Sequence, residues 1–335
     1  MKKMILAVIS SVAIVVGIVS MGNNQAEIDQ INQVLSSSPP AAGGRTYYVC
    51  DTGDDSNDGL SQSSPFRSFE KAIDLFYTIP GGSSVLLCRG GRFQSATKTR
   101  IGSKNCSTTS PCTLADYGDS QKHAPYITFN GDYGMKISHG ENYPGSGFIV
   151  KNLVLMSTTG KGSGIFIYGY EKDIILDNLH IEGFKTGIQL TGFDLEKISL
   201  TNSVIINSVG NGFMGSCNDC LIEGNHFENN GGSHLDHNIY IGSGSRLTTN
   251  VIIRGNTLYK SAMTDGECHG VSLTAHGLID NLLIENNLIQ EDVGAVSNFC
   301  YGISVDPGYA TEEVFHNVII RGNKLLNLGG NGIGC

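Results

Sequence analysis

The chain has 335 residues, with 22 basic and 31 acidic side chains, a formal net charge of −9, 44 glycines, no tryptophan and 16% charged residues. The acidic balance argues against a nucleic-acid partner, which needs a basic face. Low charge does not signal disorder here, because short Ile/Val/Leu runs recur through the second half, and one all-β domain of this length is ordinary.

Lys2 and Lys3 precede an uncharged run from Met4 to Gly22. Positive charge ahead of an apolar segment marks export. The run is longer than an ordinary signal core, its end "GIVSMGNNQ" is a poor small-x-small cleavage match, and about 20 apolar residues also span a bilayer. Residues 1–22 therefore read as a cleaved signal peptide or as an uncleaved anchor through residues 4–22. The lysines stay cytoplasmic and the remainder is secreted, periplasmic or at the cell surface. Residues 23–44, "NNQ…SSSPPAAGG", read as a linker.

Next comes "TYYVCDTGDDSNDGLSQSSPFRSFEKAIDLF": a strand, a Gly/Asp/Asn loop, then a helix starting near Ser68 with Glu70 and Lys71 early. Asp51, Asp54, Asp55, Asn57 and Asp58 offer oxygen ligands suited to calcium. The plainer reading is a set of Asx turns, and no glutamate completes an EF-hand loop. The nine cysteines fit export, since disulfides persist outside the cytoplasm. Cys50 and Cys88 end two strands expected to be neighbours, and "CSTTSPC" closes a short loop between Cys106 and Cys112. Cys217 and Cys220 form a lone C-x-x-C, weak evidence for zinc.

From residue 147 a phrase returns: Ile/Val/Leu residues, a polar residue, then Asn, as in "FIVKN", "IILDN", "ISLTN", "LIEGN", "IIRGN" and "LIENN". It ends at Asn152, Asn178, Asn202, Asn225, Asn256, Asn287 and Asn323, with gaps of 23 to 36 residues. A second phrase interleaves with it: "GIFI", "GIQL", "GFMG", "NIYI", "GVSL", "GISV" and "GIGC". Period-two alternation within four to six residues is strand, and two strands per period of this size predict a stacked parallel β-solenoid. Equivalent residues of successive coils should form columns about 4.8 Å apart. The asparagines then make one amide ladder, and Arg254, Glu285 and Arg321 a surface ladder of alternating sign. Cys268 and Cys300, each two residues before the Gly of its phrase, should lie within disulfide reach.

These Asn-ended phrases, stacked coils and export signal resemble the right-handed parallel β-helix superfamily of pectate and pectin lyases, over roughly residues 45–335. The resemblance implies an all-β, right-handed parallel β-helix solenoid with an N-terminal capping helix. On that reading residues 45–80 are the cap, its helix covering the open end of the core as terminal repeats require, and residues 147–335 are regular coils. The chain ends at "GNGIGC", inside a coil phrase, with Cys335 unpaired by parity. A partner covering the C-terminal coil is one expectation and absent final coils another.

The last four coils are longer than the earlier ones. Insertions flank the G-I/V strand at matching points: "HFENNGGSHLDH", "TLYKSAMTDGECH" and "LIQEDVGAVSNFCY" before it, "GSGSRLTTN", "TAHGLIDN" and "DPGYATEEVFHN" after it. Such insertions stack into walls, and the groove between them suits an extended polysaccharide. With Ile239 and Ile241 inward, the floor is expected to carry Asp236, Tyr240, Ser272, Thr274, Ser304 and Asp306. His237 and His269 are expected in one column with Tyr301 next, and His234 and His276 on the walls. The early coils instead present Phe166, Gln189 and Met214.

His and Tyr can move protons if their pKa values suit. Asp236, His237, Tyr240 and His269 are the candidate catalytic residues, with Tyr240 and His237 as acid/base pair and Asp236 orienting His237 or binding a cation. Ser272, Ser304, Asp306, Arg246 and Lys260 are candidate substrate ligands, and Asp236, Asp265, Glu267 and Asp306 could hold calcium. The opposing reading is a polar turn ladder without chemistry. "CHGVSL" is similar to the Gly-His-Gly strand of polygalacturonase-type hydrolases, with "LDHNIYI" where their Asp-Asp strand falls, but His237 replaces the second Asp and no Arg-x-Lys follows. Alginate lyases and mannuronan epimerases of this fold use His, Tyr and Asp together, though their Asp-Pro-His order is absent. The expected function is a polysaccharide lyase or epimerase on uronic-acid polymers. The alternatives are a glycoside hydrolase of the same fold, or a non-catalytic adhesin or carbohydrate-binding solenoid.

Overall fold

A computed structural model of the chain describes residues 43–96, 100–139, 145–309 and 312–335. The export segment and all but the end of the linker lie outside the described residues. Among the described residues no helix is long and apolar enough to cross a membrane.

Parallel strands build a 17-stranded and a 9-stranded sheet, and a two-stranded antiparallel pair, Met263–Thr264 with Glu267–Cys268, stands apart. A typical coil contributes three strands, such as Ser163–Gly169, Glu171–Asp177 and His180–Glu182. The pleat alternates side chains, so every second residue of each strand points inward. Three inward columns result. One runs Ile165, Ile188, Phe213, Ile239, Leu273, Ile303 and Ile333. A second runs Leu176, Leu200, Ile222, Ile253, Ile284 and Ile320. The third, in the smaller sheet, runs Leu155, Ile181, Ile205, Phe227, Leu258, Ile289 and Leu325. Stacking begins well before residue 147: Thr46–Val49 pairs with Ser84–Cys88, which pairs with Cys112–Tyr117, which pairs with Gly145–Lys151.

A helix forms at Phe69–Leu75, with the Ser68 hydroxyl accepting the Lys71 N–H at its start and Phe69, Ala72 and Ile73 buried. Phe69 meets Phe129 edge-on at 6.0 Å. In the preceding loop the carboxylates serve local backbone. Asp54 accepts from Ser56, Asp55 from Arg67 and Ser68, and Asp58 from Leu60.

The asparagine column is two columns, offset by one residue. Register pairs Lys151, Asp177, Thr201, Glu223, Arg254, Glu285 and Arg321. The next residues, Asn152, Asn178, Asn202, Gly224, Gly255, Asn286 and Gly322, all have φ between 49° and 67°. Asn and Gly tolerate this left-handed turn. The amide ladder lies one residue further on: Asn225, Asn256, Asn287 and Asn323. Asn225 accepts the Ser203 backbone N–H, and each of the others accepts the backbone and side-chain N–H groups of the ladder asparagine in the coil before it. The salt-bridge ladder is present and gains Glu223: Arg254 reaches Glu223 at 2.7 Å and Arg321 reaches Glu285 at 2.8 Å.

Cys50–Cys88, Cys106–Cys112 and Cys268–Cys300 are disulfides, and Cys217 pairs with Cys220 rather than presenting two thiolates. Cys335 is free and exposed.

In the fifth coil the strand equivalent to "NIYI" is "SLTA", two residues after the "GVSL" that the spacing selects. Leu273 pairs with Ile239 and with Ile303. This shift relocates several site residues.

Candidate functional site

The outward face of the first strand in each coil carries a column of Lys136, Phe166, Gln189, Met214, Tyr240, Thr274 and Ser304. Two residues along, Tyr168 lies over Thr191 and Gly242 over His276. Only glycine fits at 242: its φ is +138°, and a Cβ there would come within 1.9 Å of the His276 carbonyl oxygen. The missing side chain lets the His276 backbone pack directly against Gly242.

Tyr240 is the centre of a ring cluster. Its ring stacks on His237 at 5.6 Å and meets His276 edge-on at 5.6 Å. Its hydroxyl hydrogen-bonds the hydroxyl of Tyr309, which reaches back from the loop after the sixth-coil strand. Burial first, then the Tyr309 hydroxyl and the Glu313 charge, push the Tyr240 phenol far above its usual range, so it keeps its proton.

His276 has its tautomer fixed by its neighbours. Nδ1 faces the Asp306 carbonyl oxygen, which only accepts, so Nδ1 carries the proton. In the neutral ring the lone pair therefore lies on Nε2, with the Thr274 hydroxyl 3.2 Å away. The Asp306 carboxylate lies 3.6 Å from Nδ1 and accepts the Ser304 hydroxyl at 2.7 Å. Glu313 accepts the backbone N–H groups of Gly277, Gly308 and Tyr309 and so holds the loop that delivers Tyr309. Burial would raise this carboxyl, but the three N–H groups and His276 bring it below its ordinary value.

His237 is buried, at 6% exposure. Its backbone N–H donates to Asn211 and its Nδ1–H to the Val271 carbonyl at 2.7 Å. Burial lowers its pKa to about 4, so its ring is neutral and Nε2 carries a lone pair.

The remaining expected site residues divide. Asp236 accepts the Ser233 hydroxyl at 2.7 Å within its own turn, and the Val271 carbonyl, not Asp236, orients His237. His269 does not share the His237 column: Val271 is there, paired with Tyr301. Instead His269 lines a cleft of about 450 Å³ with His234, Thr264, Gly270, Val271, Phe299 and Tyr301. Ser272 is not on the floor; it is fully buried and accepts from Asn238, itself buried against Asn230. Lys260 belongs to the other sheet, over the Tyr259 ring and paired with Asp292 at 3.1 Å. Arg246 lies over the exposed Phe193 ring. Asp236, Asp265, Glu267 and Asp306 do not converge. Among the described residues the acidic or thiol groups close enough to share an ion are Cys50–Asp51–Cys88 and Cys268–Glu291–Cys300, both built on disulfides.

Tyr309 and Glu313 were missed, and His276 was placed on a wall rather than on the floor. Their loop, "DPGYATEEVF", is visible as an insertion, but nothing periodic in it singles out a residue.

Stacked parallel coils define a parallel β-solenoid. The family model for the right-handed beta helix region matches residues 126–289 and again 163–335, more than half of the chain, and the chain belongs to that family. A stretch of 105 residues, 31% of this chain, is 32% identical to a lacto-N-biosidase of Bifidobacterium longum subsp. longum, and the match spans 6% of that protein's length. The solved structure of a lacto-N-biosidase from Eubacterium ramulus superposes with a TM-score of 0.48 at 14% identity, covering 92% of this chain and 70% of that one. The A-module of a mannuronan C-5 epimerase from Azotobacter vinelandii superposes with a TM-score of 0.39 at 12% identity, covering 86% and 95%.

Proposed function

We propose that this is an exported carbohydrate-active enzyme that binds an extended polysaccharide along its strand face and acts as a lyase or epimerase on uronic-acid polymers. The observation that carries the reading is the Tyr240–Tyr309 hydroxyl pair beside the His276 ring, whose Nδ1 is held by the Asp306 carbonyl oxygen. Four disulfides support export.

Both reactions need a base for the proton next to the sugar carboxylate and an acid on the other side of the transfer. His276 Nε2 takes that proton. In elimination the freed electron pair becomes a ring double bond, the glycosidic C–O bond breaks, and the leaving oxygen takes a proton from the tyrosine hydroxyl pair. In epimerisation the same pair returns a proton to the opposite face. The raised pKa keeps Tyr240 protonated, so its hydroxyl can donate but cannot act as the base. His237, buried behind Tyr240, positions that ring.

A glycoside hydrolase is the second reading, favoured by the 105-residue similarity to a lacto-N-biosidase. That chemistry needs two carboxyl groups across the scissile bond. Asp306 is available, but Glu313 is occupied by three backbone N–H groups. The arrangement is one carboxyl short, which places the hydrolase second.

The test is incubation with alginate, pectate, glycosaminoglycans and neutral oligosaccharides, reading absorbance of unsaturated ends and, separately, reducing ends. Unsaturated ends that vanish in His276→Ala and fall at least a hundredfold in Tyr309→Phe are expected, in line with the usual weight of one acid or base. Reducing ends alone transfer the reading to a hydrolase. Saccharide binding without product makes the protein a binding solenoid, and full activity in both variants refutes the site.

A further inference from the structure

We infer that Tyr170, Phe193 and Arg246 form a separate saccharide subsite, for a sugar ring bearing an anionic group, on the coils before the Tyr240–His276 cluster. It rests on the proposed reading that this face binds saccharide.

Gly169 pairs with Gly192 at the ends of neighbouring strands, and Tyr170 and Phe193 follow them. Their rings stack at 5.2 Å with 24° between planes, yet remain 38% and 54% exposed. The pair offers a flat apolar surface that contributes nothing to the core. A pyranose presents one face of C–H groups to such a surface and keeps its hydroxyls at the rim. Arg246 places its guanidinium carbon 5.6 Å from the Phe193 centroid and has no carboxylate partner among the described residues, in a chain of net charge −9. A guanidinium fork matches carboxylate or sulfate in two parallel hydrogen bonds. A second cation lies further along the same face: Lys136 sits 4.4 Å from the Tyr168 centroid and 5.6 Å from that of Phe166.

An insertion carries Arg246 to this position. The register runs Ser243 to Gly277 and then Leu247 to Leu278, so Gly244, Ser245 and Arg246 have no counterpart in the next coil. Gly244 touches the cluster on one side, where a Cβ would lie 3.2 Å from the Tyr309 ring. Arg246 covers Phe193 on the other. One three-residue bulge therefore joins the reacting groups to the aromatic pair, and a chain lying along the strand face meets both.

The test uses the full chain with soluble oligouronates as anionic probes and neutral oligosaccharides as controls, by affinity electrophoresis or calorimetry. Phe193→Ala is expected to weaken oligouronate binding roughly tenfold, the scale of one aromatic contact. Arg246→Gln is expected to weaken oligouronates alone, as added salt does. Both side chains lie at the surface, and circular dichroism checks that the variants fold. Unchanged affinity in Phe193→Ala overturns the subsite. Equal loss of charged and neutral probes in Arg246→Gln overturns its anionic character and leaves Arg246 as a packing residue. If no polymer is turned over yet Phe193 still sets affinity, the enzyme reading fails and the subsite stands. If turnover proceeds with KM untouched by either substitution, the enzyme reading stands and the subsite fails.

Discussion

Replacing Asn256 with alanine tests whether the asparagines form two columns of different kinds. The Asn256 side chain is 1% exposed. Its Oδ1 accepts the Asn225 N–H at 2.9 Å and Nδ2 at 3.0 Å, and its own Nδ2 donates to Ile222 O and Asn287 Oδ1, both at 2.9 Å. Truncation leaves the backbone N–H of Asn225 and one of its side-chain N–H groups without partners, while Asn225 Nδ2 keeps its bond to the Leu200 carbonyl, Ile222 O keeps its place in the strand ladder, and Asn287 Oδ1 keeps the Asn256 backbone N–H. A buried orphan costs about 1–3 kcal/mol, and water entering the vacated space recovers part of this, so the expected loss is about 3–5 kcal/mol. Asn178 ends the same sequence phrase but is exposed, has φ +49° and makes one side-chain bond, to Asn152. Asn178→Gly adopts that φ freely and should cost less than about 0.5 kcal/mol. Urea unfolding followed by far-UV circular dichroism gives both values from midpoint and slope. Similar losses in the two variants would refute the division into columns.

Four further outcomes are expected. Phe69→Ala removes a ring that is 1% exposed and packed on Phe129, and should cost about 3–5 kcal/mol in thermal or urea unfolding; no change would mean that the helix is not docked on the coils. Glu171→Ala leaves the buried His139 ring and backbone N–H, both held by Glu171 at 2.6 Å, without their carboxylate partner, and should cost about 3–5 kcal/mol; a loss under 1 kcal/mol would refute a buried contact there. Burial puts His237 near 4 when folded against 6.5 unfolded, so the unfolded chain binds the extra proton and stability falls from pH 6.5 to about 4, by roughly 3 kcal/mol. Glu291, raised by burial from 4.5 to about 7, acts oppositely: its contribution is complete below 4.5 and is lost as pH rises through 7. Glu291→Gln should remove the second slope and keep the first, and identical pH profiles for wild type and His237→Gln would refute the first.

The solenoid was legible because each coil repeats a local rule: alternation within a strand, then a turn residue tolerating positive φ. Where the rule admits two residue types, the phrase slipped. Asn202 and Asn225 end similar words, yet Asn202 occupies the left-handed turn that Gly224 takes in the next coil, while Asn225 is the buried ladder residue. Identity was conserved across the slip and position was not. Tyr309 and Glu313 follow no period, and Tyr309 meets Tyr240 across 69 residues of chain, so nothing local announces the contact.

The two-residue error in the fifth coil accounts for the misplaced site residues together. A one-residue slip would turn every side chain of the strand over and be visible in the pattern; a two-residue slip preserves the pleat. Val271, Leu273 and Ala275 are all apolar, so alternation fits both frames equally. Counting from "GVSL" puts Ser272 beside Tyr240 and carries His276 beyond the floor, with His269 in the His237 column. The observed frame puts Thr274 beside Tyr240 and His276 beside Gly242, buries Ser272, and leaves His269 in the neighbouring cleft. The proposed base thus reaches the floor through a register choice that hydrophobic alternation cannot read. In the observed frame the small Ala275 is buried beside Ile241, and the backbone of His276 lies against Gly242.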